Sequence, residues 1–242
     1  MTAQVPRGAA GRVVGLLAGG ADLGAPSRSC TSPPSPRRYR SASMGAQRRK
    51  EVHAMGNRLS KITTRTGDEG RTGLGDGSRV DKDSLRIAAC GEVDELNSVL
   101  GRLLAYELPE DVAAVLEPVQ HELFDLGAEL AVPGHEALPE HAVERLETAL
   151  ADLNEALPPL KEFVLPGGGP ATAECHVVRA VCRRAERTLI ALGRREPVGP
   201  GAAAYLNRLS DLLFVAARLL ARREAGGERQ WRPASEREQQ GS

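Results

Sequence analysis

Residues 170–193 read PATAECHVVRAVCRRAERTLIALG and show the helical pattern that dominates this chain. Apolar or small residues recur there every three or four positions, at Cys175, Val178, Cys182, Ala185 and Leu189. This spacing places them on one face of an α-helix, and a proline in the first turn suits a helix start. We therefore predict a helix from about Pro170 to Gly193, entered through the glycine run 167–169.

Four further segments share this period and are bounded by proline or glycine. They run from about residue 85 to before Pro109, from 112 to Pro133, from 143 to Pro158, and from about 201 to 224. Pro118 lies inside the second of these, where the loss of an amide donor predicts a kink or a later helix start. Five helices with short connections predict an all-α, up-and-down bundle within residues 55–225, followed by a polar and loose tail over residues 226–242.

The first 54 residues differ from the rest in composition. They hold nine of the 32 Lys and Arg residues but only two of the 32 Asp and Glu residues, amid Pro, Ser and Gly. This is typical of an organellar transit peptide or a disordered tail, or it is upstream sequence with the true start further on. We favour the last interpretation, because Met55 leads directly into the ordered pattern. It predicts a bacterial cytoplasmic protein, whereas a transit peptide would predict a mitochondrial one.

Charge and cysteine usage narrow the function classes. Residues 55–242 carry 23 basic and 30 acidic side chains, a net charge of −7, which argues against a nucleic-acid surface. No apolar stretch is long enough to span a bilayer. Cys90, Cys175 and Cys182 lie in apolar-periodic segments without a CxxC pair, so we expect reduced, buried thiols in a cytosol-like compartment rather than a metal site.

A polar, glycine-rich segment, TRTGDEGRTGL at residues 64–74, precedes the first helix. Glycines let a backbone approach a ligand, and Thr hydroxyls and amide N–H groups can donate to phosphate oxygens. The segment is no Walker A loop, since Gly70 is followed by Arg71 and Thr72. Composition alone leaves two alternatives, a site for a polyanion and an ordinary polar turn.

The predicted 170–193 helix concentrates four guanidinium groups near one acid, at Arg179, Arg183, Arg184, Glu186 and Arg187. A solvated charged surface would explain Arg184. For Arg183 and Arg187 we favour triphosphate binding over that alternative, because the guanidinium fork matches phosphate oxygens.

Other polar and aromatic side chains lie near the predicted apolar faces. Asn207 and Asp211, one turn apart, could orient the guanidiniums or a ligand, or form a buried network that only fixes register. Asp94 is expected to be buried and paired. Phe163, just before the arginine-rich helix, could fill a core gap or form the wall of a ligand pocket. His176 we interpret as a packed histidine outside the chemistry.

Together these segments resemble the PduO-type ATP:cob(I)alamin adenosyltransferases. The resemblance is carried by residues 61–68, 93–97, 163–168, 179–187 and 205–211, in the same order, and covers about residues 57–225. One departure is Thr72-Gly73, where some members carry two serines. The resemblance implies a ferritin-like five-helix bundle that assembles as a homotrimer, with active sites at the subunit interfaces that each bind Mg-ATP beside a corrinoid.

The resemblance also implies roles for individual residues. Those that would bind ATP are Thr64, Arg65, Thr66, Gly67, Thr72, Gly73, Lys82, Arg183, Arg184, Glu186, Arg187 and Asn207, with Asp211 supporting them. Phe163 would displace the lower axial ligand of the corrinoid, giving a four-coordinate Co(II) that is easier to reduce. Asp94 would pair with Arg179 across the interface. The catalytic residues would be Phe163, Asp94, Arg179 and Arg183. No protein ligand to a metal is assigned.

The implied reaction transfers the 5′-deoxyadenosyl group of ATP to the Co(I) centre of reduced cobalamin and releases triphosphate. Cob(I)alamin is itself a strong nucleophile, so no protein nucleophile is needed. A reductase and an adenosylcobalamin-dependent enzyme would be the protein partners, without nucleic acid or membrane. Two alternatives remain: a non-catalytic carrier or sensor that binds ATP or adenosylcobalamin, and a generic bundle whose charges are only solvated.

Overall fold

The computed structural model describes residues 65–238, so the proposed extension and Thr64 lie outside it. Its five long helices confirm the predicted bundle: α1 Leu85–Leu104, α2 Glu110–Ala131, α3 Ala142–Glu155, α4 Pro170–Gly193 and α5 Ala202–Ala225. The sequence pattern does not indicate the three short elements: the strands β1 Arg71–Gly73 and β2 Arg79–Asp81, which pair antiparallel, and the one-turn helix α6 Ala234–Glu238.

Helix α4 lies between α1 and α5, while α2 packs on α1 and α3 packs on α5. The predicted apolar line of α4 is inside, and Cys175, Val178 and Cys182 are all 0% exposed. The largest fully buried side chain within residues 65–238 is Tyr205, whose hydroxyl donates to Glu122 Oε2 at 2.7 Å. Burial raises the pKa of Tyr205, so the phenol remains protonated. No helix within residues 65–238 is both long and apolar enough to cross a membrane.

Helix α2 continues without interruption through Pro118, so the expectation of a later helix start is wrong. Its first turn carries Glu110 and Asp111, which interact favourably with a helix N-terminus. Apolar residues on both sides of the proline are buried to within 1% exposure, namely Val112, Leu116, Val119 and Leu123. Burying several such side chains outweighs the roughly 3 kcal/mol that an internal proline costs.

The β-hairpin is attached to the end of the bundle where α2 terminates. Its turn is closed by Asp76, whose Oδ1 accepts from the Ser78 amide at 2.9 Å and the Ser78 hydroxyl at 2.7 Å. The Gly75 amide donates to the Ala131 carbonyl at 2.7 Å. A Cβ at position 75 would lie 2.5 Å from a Val132 methyl, so only glycine permits this close approach.

The composition predicts a loose tail after α5. In the structure, the described part of this tail is instead hydrogen-bonded to the segment before α4. The Leu165 amide donates to the Arg229 carbonyl at 2.8 Å, and the Trp231 amide donates to the Phe163 carbonyl at 2.7 Å. Glu228, at the start of this stretch, is bound by two arginines of α5. These contacts bring the chain's single tryptophan next to a predicted site residue.

Candidate active site

Helix α4 presents two arginines that no other residue within the described range 65–238 neutralises. Arg183 and Arg187 are both exposed. The Arg187 guanidinium donates only to the backbone carbonyl of Arg183, at 3.0 Å. Within residues 65–238, the Arg183 guanidinium makes no hydrogen bond or ion pair. Both side chains are therefore available to an anion, as the triphosphate interpretation requires.

Arg184, in contrast, is already bound by two carboxylates of α1. Its Nε donates to Glu92 Oε2 at 2.5 Å, and a second nitrogen donates to Glu95. These hydrogen bonds, the one to Glu92 foremost, hold the pKa of Arg184 above its ordinary value. Because both carboxylates neutralise it, Arg184 joins α4 to α1, and this pairing favours a structural role over its predicted place in the ATP site.

Asn207 lies in a polar network between α3, α4 and α5. Its amide nitrogen donates to Glu186 Oε1 at 3.1 Å, and its amide oxygen accepts from Arg208 at 2.6 Å. Arg208 also donates to Glu147 Oε1 at 2.7 Å. Asp211 does not support this network as predicted: it is exposed and has no hydrogen bond or ion pair among the described residues. The network therefore holds the Glu186 side chain in place and, within residues 65–238, makes no hydrogen bond to Arg183 or Arg187.

The glycine-rich segment forms a hairpin that arginines and a lysine hold together. The Arg79 guanidinium donates to the Thr66 carbonyl at 2.6 Å and to the Arg71 carbonyl at 3.0 Å. Lys82 is exposed, and its ammonium nitrogen lies 3.0 Å from where a Cβ on Gly67 would be. Glycine at position 67 therefore lets the lysine lie over the backbone, where both could contact one anion.

The other predicted residues of this segment have defined backbone positions. Arg65 adopts a left-handed conformation, with φ at 59°. Thr72 is half-buried and opposite Val80 across the hairpin, and Gly73 is exposed and opposite Arg79. The hairpin binds itself and the end of α2, whereas the α4 arginines contact α1 and their own helix. The two parts of the predicted ATP site thus belong to different regions of the chain.

An open cavity of about 460 Å³ lies beside the N-terminal half of α4. Phe163, His176, Arg179 and Phe214 are among the residues that line it. The Phe163 ring is 78% exposed and meets the Trp231 ring edge-on, with centroids 6.3 Å apart. Phe163 therefore fills no core gap but forms a wall, against which a flat apolar ligand can pack.

Two polar atoms near this cavity are buried without a partner. They are His176 Nδ1 and Arg179 Nε, and neither bonds to any residue in the described range. Burial lowers the pKa of His176, and the nearby Arg179 charge lowers it further, so the imidazole is neutral near pH 7. An unpaired buried polar atom costs about 1–3 kcal/mol, so each points to a missing ligand or subunit.

Asp94 is exposed rather than buried and paired, so that expectation is wrong for the single chain. It lines a groove between α1 and α2 beside Phe124, whose side chain is 71% exposed. In the same groove, Asn97 Oδ1 is buried and lacks a partner among residues 65–238. An exposed phenylalanine beside an unpaired carboxylate and an unpaired amide oxygen indicates a surface that another molecule covers.

The family model for cobalamin adenosyltransferase matches residues 62–220. This range contains the hairpin, the α4 arginines and Phe163. The chain belongs to the cobalamin adenosyltransferase family. The site described above, with exposed cationic groups and an aromatic wall, thus lies within the part of the chain that the family model covers.

Individual members of this family are similar over most of their length. A cobalamin adenosyltransferase from Cupriavidus metallidurans is 58% identical over 178 residues, which are 73% of this chain and 97% of that protein. The corrinoid adenosyltransferase of Bacillus subtilis is 44% identical, covering 69% of this chain and 90% of that protein.

A solved structure extends the comparison to the fold. It is a phenylalanine-to-alanine variant of the PduO-type ATP:corrinoid adenosyltransferase from Lactobacillus reuteri in complex with cobalamin and ATP. It superposes with a TM-score of 0.67 and 33% identity, covering 72% of this chain and all of that one. The bundle of this adenosyltransferase family is therefore the fold of the present chain.

The sequence interpretation missed His176 and Trp231 as site residues. His176 precedes Arg179 by three positions, so helical spacing placed both on one face and could have indicated a shared cavity. Trp231 gave no such signal, because it lies in a polar tail more than sixty residues after Phe163.

Proposed function

We propose that this protein transfers the 5′-deoxyadenosyl group of ATP to the Co(I) centre of a reduced corrinoid and releases triphosphate. The observation that carries this proposal is the arrangement along α4. Arg179 lines the aromatic cavity, and the exposed Arg183 follows four residues later, about 6 Å along a helix axis. A phosphate site and a site for a planar macrocycle therefore lie within the length of one nucleotide.

The chemistry needs positioning and charge more than a reactive side chain. The Co(I) electron pair attacks the 5′ carbon of ATP, the cobalt–carbon bond forms, and the carbon–oxygen bond to the triphosphate breaks. The triphosphate leaves with the electron pair of that bond. Arg183 and Arg187 stabilise the developing negative charge on it, and Lys82 of the hairpin adds a third cation.

Phe163 acts on the cobalt face of the corrinoid. Its ring is largely exposed in the cavity and packs edge-on against the Trp231 ring. We propose that this wall occupies the lower axial position, which excludes water and the lower ligand and leaves a four-coordinate Co(II) that is easier to reduce.

A homotrimer would complete the site. The hairpin and the α4 arginines bind different parts of one chain, so we propose that the hairpin of one subunit meets α4 of its neighbour. Asp94 would then pair with Arg179 across the interface. Support comes from the exposed Asp94, from the unpartnered Nε of Arg179, and from the exposed Phe124 in the same groove as Asp94.

Mg²⁺ would enter as part of the substrate Mg-ATP. Mg²⁺ is commonly held by substrate phosphates with one or two carboxylates. Residues 65–238 hold no group of three or more His, Cys, Asp and Glu side chains able to bind a metal by itself. Glu186, next to Arg187 and fixed by Asn207, offers one carboxylate for the ion.

We also propose a reducing, cytoplasmic location and two protein partners. Cys90, Cys175 and Cys182 are unpaired thiols, and burial raises the pKa of Cys175 to about 12, so it is unreactive. The chemistry requires a reductase that supplies Co(I), and the product suits an enzyme that uses adenosylcobalamin.

An anaerobic assay of the full chain with Mg-ATP and chemically reduced cobalamin tests the reaction. We expect loss of the Co(I) absorbance with formation of equal amounts of adenosylcobalamin and triphosphate. Binding of both ligands without turnover would instead identify a carrier or sensor. Omission of ATP is the control for spontaneous Co(I) oxidation.

A further inference from the structure

The tail after α5 forms a second cavity, of about 650 Å³, that the proposed reaction leaves without a role. Three arginines line it, Arg229, Arg232 and Arg237, together with Leu165 and Trp231. Arg229 and Arg237 are exposed, and their guanidiniums make no hydrogen bond or ion pair with the described residues. We refer to this cavity as the tail cleft.

Among the described residues, the one carboxylate that lines the tail cleft, Glu228, is already neutralised. It accepts from Arg218 Nε at 2.9 Å and from Arg222 at 3.0 Å. Burial works to raise the pKa of Glu228, but its hydrogen bonds to the backbone and to both arginines outweigh this and lower it. Glu228 therefore does not cancel the charge of Arg229 and Arg237, and an anion in the cleft would be stabilised.

The tail cleft and the aromatic cavity lie on the two sides of one wall. Phe163 lines the aromatic cavity and Trp231 lines the tail cleft, and their rings are in edge-on contact. Backbone hydrogen bonds between the two segments hold the wall together. A corrinoid whose lower face rests on Phe163 would therefore have the tail cleft beyond its lower side.

We propose that the tail cleft binds the phosphodiester of the nucleotide loop that complete corrinoids carry on their lower side. This inference rests on the proposed adenosyl transfer. The loop is displaced once Phe163 occupies the lower axial position, and its single negative charge then needs a place outside the cavity. Arginine forks suit a phosphodiester, and the flat face of Trp231 suits the attached base. The triphosphate of ATP is assigned to Arg183 and Arg187, so the cleft is not required for it.

Cobalamin and cobinamide separate this role from the transfer itself, because cobinamide has the corrin ring but lacks the nucleotide loop. Both are supplied as Co(I), which has no lower ligand, with saturating Mg-ATP. We expect the double variant Arg229→Gln, Arg237→Gln to raise KM for cob(I)alamin about tenfold, roughly threefold for each exposed arginine–phosphate contact. Its KM for cob(I)inamide should not change, nor should kcat for either corrinoid.

Matched variants and salt complete the test. The double variant Arg194→Gln, Arg195→Gln removes the same charge from exposed positions after α4 and should leave both KM values unchanged. About 0.5 M salt should abolish the difference between wild type and the tail-cleft variant with cobalamin.

The outcomes for the two proposals are distinct. Turnover of both corrinoids by the wild type establishes the transferase. An equal KM increase for cobalamin and cobinamide in the tail-cleft variant, or no increase for either, would then refute the nucleotide-loop site while leaving the transferase intact. Circular dichroism of the variants guards against a change of fold.

Discussion

Replacing Arg183 or Arg184 by alanine separates the roles of two neighbouring residues of the same type. Arg183 is exposed and unpaired within the described chain, so Arg183→Ala should leave the melting temperature unchanged. Its kcat/KM for ATP should fall roughly 10- to 150-fold, since a charge-assisted phosphate contact contributes about 1.5–3 kcal/mol. The Arg184 side chain is 41% exposed, so solvent screens its pairs with Glu92 and Glu95. Arg184→Ala should lower the free energy of unfolding by about 1 kcal/mol and the melting temperature by about 2–4 °C, because it removes these pairs. Its KM for ATP should be nearly unchanged.

The assay follows Co(I) loss anaerobically at saturating cobalamin with varied Mg-ATP, beside thermal unfolding of each variant. Arg194→Ala, at an exposed position after α4, controls for the loss of one positive charge. The reasoning from occupied ion pairs would be refuted if Arg184→Ala lost ATP use as severely as Arg183→Ala at an unchanged melting temperature. That result would mean that Arg184 leaves its carboxylates to bind the nucleotide.

Three further predictions concern other parts of the molecule. Phe163→Ala should leave the melting temperature unchanged, because the ring is 78% exposed. It should slow turnover of Co(II) supplied with a reductase far more than turnover of pre-reduced Co(I). Equal losses with the two substrates would contradict the role of Phe163 at the lower face of the corrinoid. Asp94→Ala should weaken the trimer in sedimentation or lower activity, and a fully active trimer would show that its pair with Arg179 is dispensable. The hydrogen bonds from Arg223 hold the pKa of Asp111 below its ordinary value of 3.8, so this stabilisation is present above that pH and is lost as the pH falls through the lowered pKa. The melting temperatures of wild type and Asp111→Asn should therefore differ near neutrality and converge as the pH falls below the lowered pKa, as thermal unfolding across pH would reveal.

Helix boundaries were predictable where local chemistry sets them. Pro170 and Gly193 bound α4 in both the prediction and the structure. The start of α4, however, has no local side-chain cap. Glu224 of α5 accepts from the Thr172 amide at 2.9 Å and from its hydroxyl at 2.6 Å. A cap supplied from more than fifty residues away leaves no local signal, because its position depends on how the helices pack.

The candidate site was predictable in its residue types but not in their individual roles. Arg183 and Arg184 are neighbours of identical chemistry, and successive residues point about 100° apart around a helix. Which of the two faces Glu92 depends on the rotation of α4 against α1. The contact of Trp231 with Phe163 likewise depends on the tail crossing back over the bundle.

Apolar periodicity, proline and glycine placement, and the family's separated motifs were therefore enough to establish the five helices and the class of chemistry. Each of these signals is carried by residues that are close together in the sequence, within one or two helical turns or one short motif. They can therefore be recognised without knowledge of the tertiary structure. Tertiary packing set the rest: the continuity of α2 through Pro118, the pairing of Arg184, the exposure of Asp94 and the aromatic wall. Each of these is a free-energy balance between groups distant along the chain, and such a balance exists only after the helices have packed.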